Sequence, residues 1–428
     1  MRVFILGSGG REAAVYRKLA QSSQVSNLTF FPGNAMVPHE NQGPMPGSGS
    51  FEDLKQFFIN EKVDMLFVGP EQPLVDGIVD FFAKEMPKLL VFGPSQEAAR
   101  LEGSKVFSAE VMDELNIPYA KSVVITDQIS LKQALNQLGL PIVLKADGLA
   151  AGKGVTIHDN ENEAADMATR LLEGEILAGA GKEILAQQFL TGEEASLFAL
   201  CNGSEAIYLP VGRDYKRAYD SDQGPNTGGM GSYCPGGHLS PAHIEFAHQR
   251  IVQPVLDKFQ YRGILYVGLM VHSSIGDDLS VIEFNVRLGD PETQCILPML
   301  EEDLLPYLSW ACGATEQVIT VKNPAGIRTI PQKAGCCVNV VVAAKGYPGS
   351  YKKELPLNIT DPADESVHII HAGTKYLDSS LVSNGGRVCN VVAQGTNQKE
   401  ARDKVYRYLS ENKPNLDADY FFREDIAL

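Results

Sequence analysis

Short apolar runs alternate with helix-like stretches through the first hundred residues, and this rhythm restricts the fold more than any other feature. Strands are expected at Val3 to Leu6, Leu28 to Phe31, Met65 to Val68 and Leu89 to Phe92. Helix-like segments lie between them at Glu12 to Gln21, Phe51 to Asn60 and Leu74 to Ala83. Each helix carries the chain back across the sheet, so β-α-β-α-β order implies parallel strands. The chain has 428 residues, enough for two to four domains.

Beyond residue 103 the pattern changes. A helix is expected over 104–118, then a strand at Ser122 to Ile125, a helix near Leu131 to Leu138 and a strand at Ile142 to Lys145. Gly148 to Gly154 form a glycine-rich loop before a returning strand, Val155 to Ile157. A helix near Glu163 to Leu172 and a strand near Ile184 to Gln187 complete a small α+β lobe. Strands and long helices follow to residue 325, where Asn323-Pro324-Ala325-Gly326 reads as a linker. A β-rich unit is expected after it. The reading is therefore a 1–103 parallel domain, a 104–325 central region with lobes of about 120–188 and 189–325, and a 326–428 domain.

Acids outnumber bases 53 to 37, a net charge of −16, which argues against broad nucleic-acid binding. A phosphate site survives such a balance, because it needs only a few local cations and backbone amides. Seven cysteines without a CxxC pair fit a reducing cytosol, and Cys336-Cys337 reads as core strand. Met1 to Gly7 is too short an apolar run for a signal peptide, and no 18-residue apolar segment is present.

Chemistry concentrates in five stretches. In Glu283-Phe284-Asn285-Val286-Arg287, strand alternation would place the three polar side chains on one face. A carboxylate beside an amide oxygen suits a hard cation such as Mg2+, and an arginine suits the phosphate it bridges. The first turn, Gly7-Ser8-Gly9-Gly10-Arg11-Glu12, either brings backbone N–H groups to a phosphate or simply packs tightly. A nicotinamide site would also need an acid after the second strand, where this chain has Phe31-Pro32-Gly33-Asn34. Lys145 to Val155 is either a flap over nucleotide phosphates, with Lys145 and Lys153 reaching them, or a flexible hairpin. Gln187 to Glu194 is either an adenine and ribose hinge or a charged loop. Asp214-Tyr215-Lys216-Arg217 precedes Gly224-Pro225-Asn226-Thr227-Gly228-Gly229-Met230-Gly231, whose four glycines in eight residues suit a small anion or an irregular surface loop. The histidines show no metal spacing, and there is no GxSxG.

Taken together, these segments resemble the glycinamide ribonucleotide synthetase family of ATP-grasp ligases. Supporting runs include Val68-Gly69-Pro70-Glu71, Leu101-Glu102-Gly103-Ser104-Lys105, Gly346-Tyr347-Pro348-Gly349, His371-Ala372-Gly373-Thr374-Lys375 and Asn384-Gly385-Gly386-Arg387-Val388. The resemblance implies an ATP-grasp fold with an N-terminal Rossmann-like domain and a small β-rich C-terminal domain. It implies that ATP, with Mg2+ or Mn2+, drives joining of glycine to phosphoribosylamine through glycyl phosphate. Lys105, Lys145, Gly152 and Lys153 would meet phosphates. Gln187, Phe189 and Leu190 would hold adenine, and Glu194 ribose. Glu283 and Asn285 would bind metal, while Arg287, Lys145 and Asp214 would be catalytic. Gly9, Gly10, Arg11, Glu12, Asp214, Lys216, Pro225, Asn226, Thr227, Gly228, Gly229, Asp290 and Pro291 would contact phosphoribosylamine and glycine. A cytoplasmic monomer without nucleic-acid or membrane partners is expected. The chain departs from the family pattern at Ala13 (usually His), Arg213 and Tyr215 (usually Gln and His), Gln187 (commonly an acid) and Leu288 (commonly Phe). Ala13 and Tyr215 leave open a related ligase with another amine or acid substrate.

Overall fold

The computed structural model describes residues 1–37, 46–47, 49–149, 154–175, 183–236, 239–273 and 278–428. The first hundred residues form a four-stranded parallel sheet in the order Asn27–Pro32, Arg2–Gly7, Met65–Val68, Leu90–Phe92. Val3, Phe4, Ile5 and Leu6 are all buried, as expected of a strand covered on both faces. Neighbours lie on either side of Arg2–Gly7, so its carboxyl end opens at the switch point where ligands bind in such sheets. The helix Gly10–Leu19 begins there.

One expected helix divides. Leu74 to Ala83 falls across Glu71–Val75 and Ile78–Glu85, with Gly77 between them at φ +88°. That left-handed residue ends one helix and starts the next.

The small lobe has an antiparallel sheet in the order Ser122–Ile125, Ile184–Gln188, Ile142–Ala146, Val155–His158. Helices Gln128–Leu138 and Glu161–Leu172 cover it, and Leu131, Ala134, Ile142, Leu144 and Ala168 belong to a core of its own. The central sheet runs Leu279–Asn285, Arg262–Val271, Glu193–Asn202, Ala206–Tyr208, Arg328–Thr329, Val321–Lys322. Asn323 to Gly326, expected to be a linker, is instead the turn joining the last two of these strands. The Asn323 side chain accepts from the N–H groups of Ala325 and Ile327, and Gly326 supplies φ +81°. The expected partition at 325/326 therefore falls inside a hairpin.

The third large sheet runs Arg213–Asp214, Gly231–Cys234, Cys336–Ala344, Arg387–Gly395, Val367–His371. Its first two strands come from the middle of the chain and flank residues 215–230. The helix Gln398–Leu416 packs on this sheet, burying Ala401, Val405, Tyr408, Leu409, Asn412 and Leu416 at helical spacing. The description "β-rich" omits this 19-residue helix. All seven cysteines are free thiols. Among the described residues no helix is long and apolar enough to cross a membrane.

Phe58 is fully buried, with ring centroids of Phe4 and Phe82 at 4.9 and 5.2 Å. Phe58→Ala should lower unfolding free energy by about 3–5 kcal/mol, read from a denaturant titration.

Candidate active site

The strand Leu279–Asn285 carries an irregularity that organises the site. Gly268 faces Glu283 and Leu269 faces Val281, so Ile282 is an extra, unmatched residue. Lys145, on the small lobe's strand, donates from Nζ to the Ile282 carbonyl at 2.7 Å. The bulge thus ties the two lobes together beside Glu283.

Lys145 is buried, and its pKa falls to about 8. Burial is the main cause and the Lys105 charge adds to it, while Glu283 opposes. Burial alone would push the Glu283 carboxyl up. Lys216, Lys145, Lys105 and Arg287 outweigh it and hold Glu283 at about 2. Lys105 starts the helix Lys105–Glu114, which Ser104 caps, and its Nζ donates to the Glu102 carbonyl at 2.9 Å. Asp147, two residues beyond Lys145, accepts from Ser104 Oγ at 2.9 Å and from Val106 N at 3.0 Å.

Glu283 and Asn285 share a strand face by alternation, as expected, but Arg287 joins them by another route. The strand ends at Asn285, and Arg287 lies in the bend beyond it. Arg287 Nη2 turns back to Asn285 Oδ1 at 3.2 Å, and Asn285 Nδ2 lies 3.5 Å from Glu283 Oε1. Arg287 also pairs with Glu102 at 2.8 Å and Glu71 at 3.6 Å. Burial alone would weaken its hold on the proton, but these two acids raise its pKa further. Glu102 is buried and accepts from the Val286 amide at 2.8 Å.

A second cluster adjoins the first. Lys216 Nζ meets Glu194 Oε2 at 2.8 Å. Burial pushes Asp214 up, with Glu194 adding and Lys216 opposing. Gln187 is buried in its strand, facing Ser122 and Val143. Phe189 and Leu190 follow that strand, and Phe189 is exposed. Gly152 and Lys153 lie outside the described residues.

At the first turn, Glu12 Oε2 accepts from Gly9 N at 2.7 Å and Glu12 Oε1 from Arg11 Nε at 2.7 Å. Arg11 also donates to the Leu288 carbonyl at 3.1 Å. A Cβ on Gly10 would meet Gln294 Nε2 at 2.6 Å and Asn390 Nδ2 at 2.8 Å, so close packing accounts for that glycine. A cavity of about 490 Å³ opens here, lined by Gly9, Arg11, Glu12, Glu71 and Asp290 among others. Gly229 packs against Pro291, where a Cβ would collide with the proline ring. Arg387 Nη1 donates to the carbonyls of Gly228 and Asp290 at 2.6 and 2.7 Å. Pro225 is exposed and Asn226 half-buried, on the strand Gln223–Asn226.

Sequence reasoning assigned no role to Glu71, Glu102 or Arg387. Each lies inside a run that carried the family resemblance, and that was the available signal. Ala13 is fully buried and packs in the core.

The two-lobed fold and this concentration of cations around a half-buried carboxylate define an ATP-grasp ligase. Profiles described as Phosphoribosylglycinamide synthetase match the chain in three parts: N domain over 1–102, ATP-grasp (A) domain over 103–293 and C domain over 337–428. The chain belongs to that family. It is 39% identical to the phosphoribosylamine–glycine ligase of Leptospira interrogans, across 100% of this chain and 98% of the relative. It is 40% identical to the enzyme of that name from Mesorhizobium japonicum, with the same coverage. The solved phosphoribosylamine–glycine ligase of Thermotoga maritima superposes with a TM-score of 0.78 at 33% identity, covering 100% of both chains. The biotin carboxylase domain of Hydrogenobacter thermophilus 2-oxoglutarate carboxylase shares the fold alone. Its TM-score is 0.74 at 15% identity, over 98% of this chain and 90% of that one.

Lys145 should control nucleotide affinity through its proton. If Lys145 meets phosphate it does so as the ammonium, and with a pKa near 8 that form is lost above pH 8 in the free protein. ATP affinity should then fall about tenfold per pH unit above 8 until the pKa of the complex is reached. Calorimetric titration between pH 7 and 9.5 should show this slope, and Lys145→Arg should flatten it, since arginine stays protonated.

Proposed function

We propose that this protein joins glycine to 5-phosphoribosylamine at the expense of ATP, giving glycinamide ribonucleotide, ADP and phosphate in purine biosynthesis. Family membership along the chain supports the reading. The observation that carries it is the convergence of Lys145, Glu283, Asn285 and Arg287 at the end of one bulged strand.

A glycine carboxylate is a weak electrophile. Its oxygen attacks the γ-phosphorus of ATP, the bond to the bridging oxygen breaks, and ADP leaves. Lys145, Lys105 and Arg287 offset the negative charge that gathers on the transferring group. The amine of phosphoribosylamine then attacks the acyl carbon, the carbon–oxygen bond to phosphate breaks, and the nitrogen gives up a proton. Gln187, Phe189 and Leu190 would flank adenine, and Glu194 would take ribose hydroxyls. Asp214 and Lys216 would orient the amine and carboxylate groups of the acceptor side, next to the 225–229 loop and Pro291. Arg11, Glu12 and Asp290 would face the sugar phosphate from the first turn.

ATP-grasp ligases use ATP with a divalent metal in general, and the residues here fit one. Glu283 stays ionised, Asn285 offers a hard amide oxygen, and Mg2+ or Mn2+ is the metal proposed. Among the described residues no group of three or more His, Cys, Asp or Glu could hold a metal. That suits an ion bound by one or two side chains plus substrate phosphates. The metal would neutralise phosphate charge when bound.

The free thiols suit a reducing compartment, and a cytosolic monomer is the proposed state. Phosphate release should require ATP, glycine and phosphoribosylamine together. Glu283→Gln should lower kcat by about a hundred- to a thousandfold, far more than any loss of folded protein seen by circular dichroism. Turnover with another amino acid but not glycine would redirect the reading to a related ligase, and turnover unchanged in Glu283→Gln would remove the metal assignment.

A further inference from the structure

Residues 215–226 form a hairpin whose strands Arg217–Tyr219 and Gln223–Asn226 pair antiparallel. Its tip places Ser221 and Asp222 consecutively at φ +56° and +51°. Non-glycine residues rarely adopt that conformation, and it persists only where the surroundings impose it. Here they do, through a segment two hundred residues later. Asp425 Oδ2 accepts from Ser221 N at 2.8 Å, and Asp220 Oδ1 accepts from Glu424 N at 2.8 Å. Arg423, 1% exposed, donates to Asp222 Oδ1 at 2.9 Å and to the Arg217 carbonyl at 3.1 Å. Its Nε and Nη2 donate to Asp425 at 2.7 and 2.6 Å.

The same segment grips the stem. The Tyr215 hydroxyl accepts from Ala427 N at 3.0 Å, and the Arg423 guanidinium lies 5.0 Å from the Tyr215 ring centre. Tyr215 is where this chain departs from the family pattern, between Asp214 and Lys216. Below it, the Lys216 carbonyl accepts from both Thr227 N and Thr227 Oγ1 at 2.8 Å. Gly229 N then donates to Thr227 Oγ1 at 2.9 Å. The segment itself is anchored on the helix Gln398–Leu416. Arg402 donates to the carbonyls of Glu424 and Ile426, and Tyr406 to that of Arg423.

We propose that residues 423–427 are a clamp that fixes Lys216 and Thr227 for substrate, with Arg423, Asp425 and Tyr215 acting as positioning residues outside the site. The inference rests on the reading that the 214–229 stretch holds the acceptor substrates. It deepens that reading by assigning the control of its geometry to a remote segment.

Tyr215→Phe removes only the accepting hydroxyl, and Asp425→Asn keeps the shape while weakening the Arg423 and Ser221 contacts. Each variant should raise KM for phosphoribosylamine or glycine by about five- to tenfold. KM for ATP should stay within about twofold. Backbone amides of 216–226 should exchange hydrogen faster in both variants. Acceptor KM values equal to those of the unaltered protein would overturn the clamp. So would a lowered melting temperature with all KM values unchanged, the mark of a purely structural contact. If the unaltered protein fails to turn over phosphoribosylamine and glycine, the ligase reading is at fault. Amide exchange needs no substrate and separates the two failures: unchanged exchange at 216–226 rejects the clamp, while faster exchange keeps its hold on the hairpin even as the substrate role falls with the ligase reading.

Discussion

The ionised carboxylate of Glu283, half-buried between the lobes, is the constraint around which this molecule is arranged. Burial opposes its charge, and an isolated buried anion would take up a proton. Cations from four separate places prevent that: Lys145 from the small lobe, Lys105 from a helix start, Lys216 from the hairpin and Arg287 from the bend. None of these cations is cheap to bury either. Lys145 shows the conflict directly, since its proton is loosened by the same burial. A core of hydrophobic residues would be simpler and often no less stable. The cluster makes sense as a site kept for a charged ligand.

The arrangement depends on three sheets meeting. The parallel sheet supplies the first turn at its switch point. The central sheet supplies the bulged strand, where one unmatched residue frees a carbonyl for Lys145. The third sheet supplies the flanks of the 215–230 stretch and, through Arg387, the bonds that set Gly228 against Asp290. Arg287 reaches Glu71 and Glu102 in the other direction, so the parts lock around one short stretch of chain.

Much of this was legible in the residues. The parallel order of the first sheet followed from alternating runs, and the Glu283 to Glu292 stretch announced itself by composition. What alternation could not show was that the strand stops at Asn285, because a bend two residues long leaves no periodic trace. Asn323 to Gly326 had the composition of a linker and of a tight turn alike, and only its strand partners separate the two. The helix Gln398–Leu416 was missed inside a β-rich stretch. Glu71, Glu102 and Arg387 act through partners far away in sequence, so no local pattern reports their pairing. Gly10 was legible as constrained, but the cause is the buried amides of Gln294 and Asn390, which a sequence cannot place.

The mixed origin of the third sheet bears on how the protein comes into being. Gly231 lies opposite Val340, and the strand Arg213–Asp214 hangs on that pairing. During synthesis the middle of the chain emerges long before the strand it must join. The hairpin at 215–226 likewise stays unheld until residues 423–427, two hundred positions later, have been made. A chain stopped before residue 423 would lack the contacts that hold Ser221 and Asp222 in their left-handed conformation.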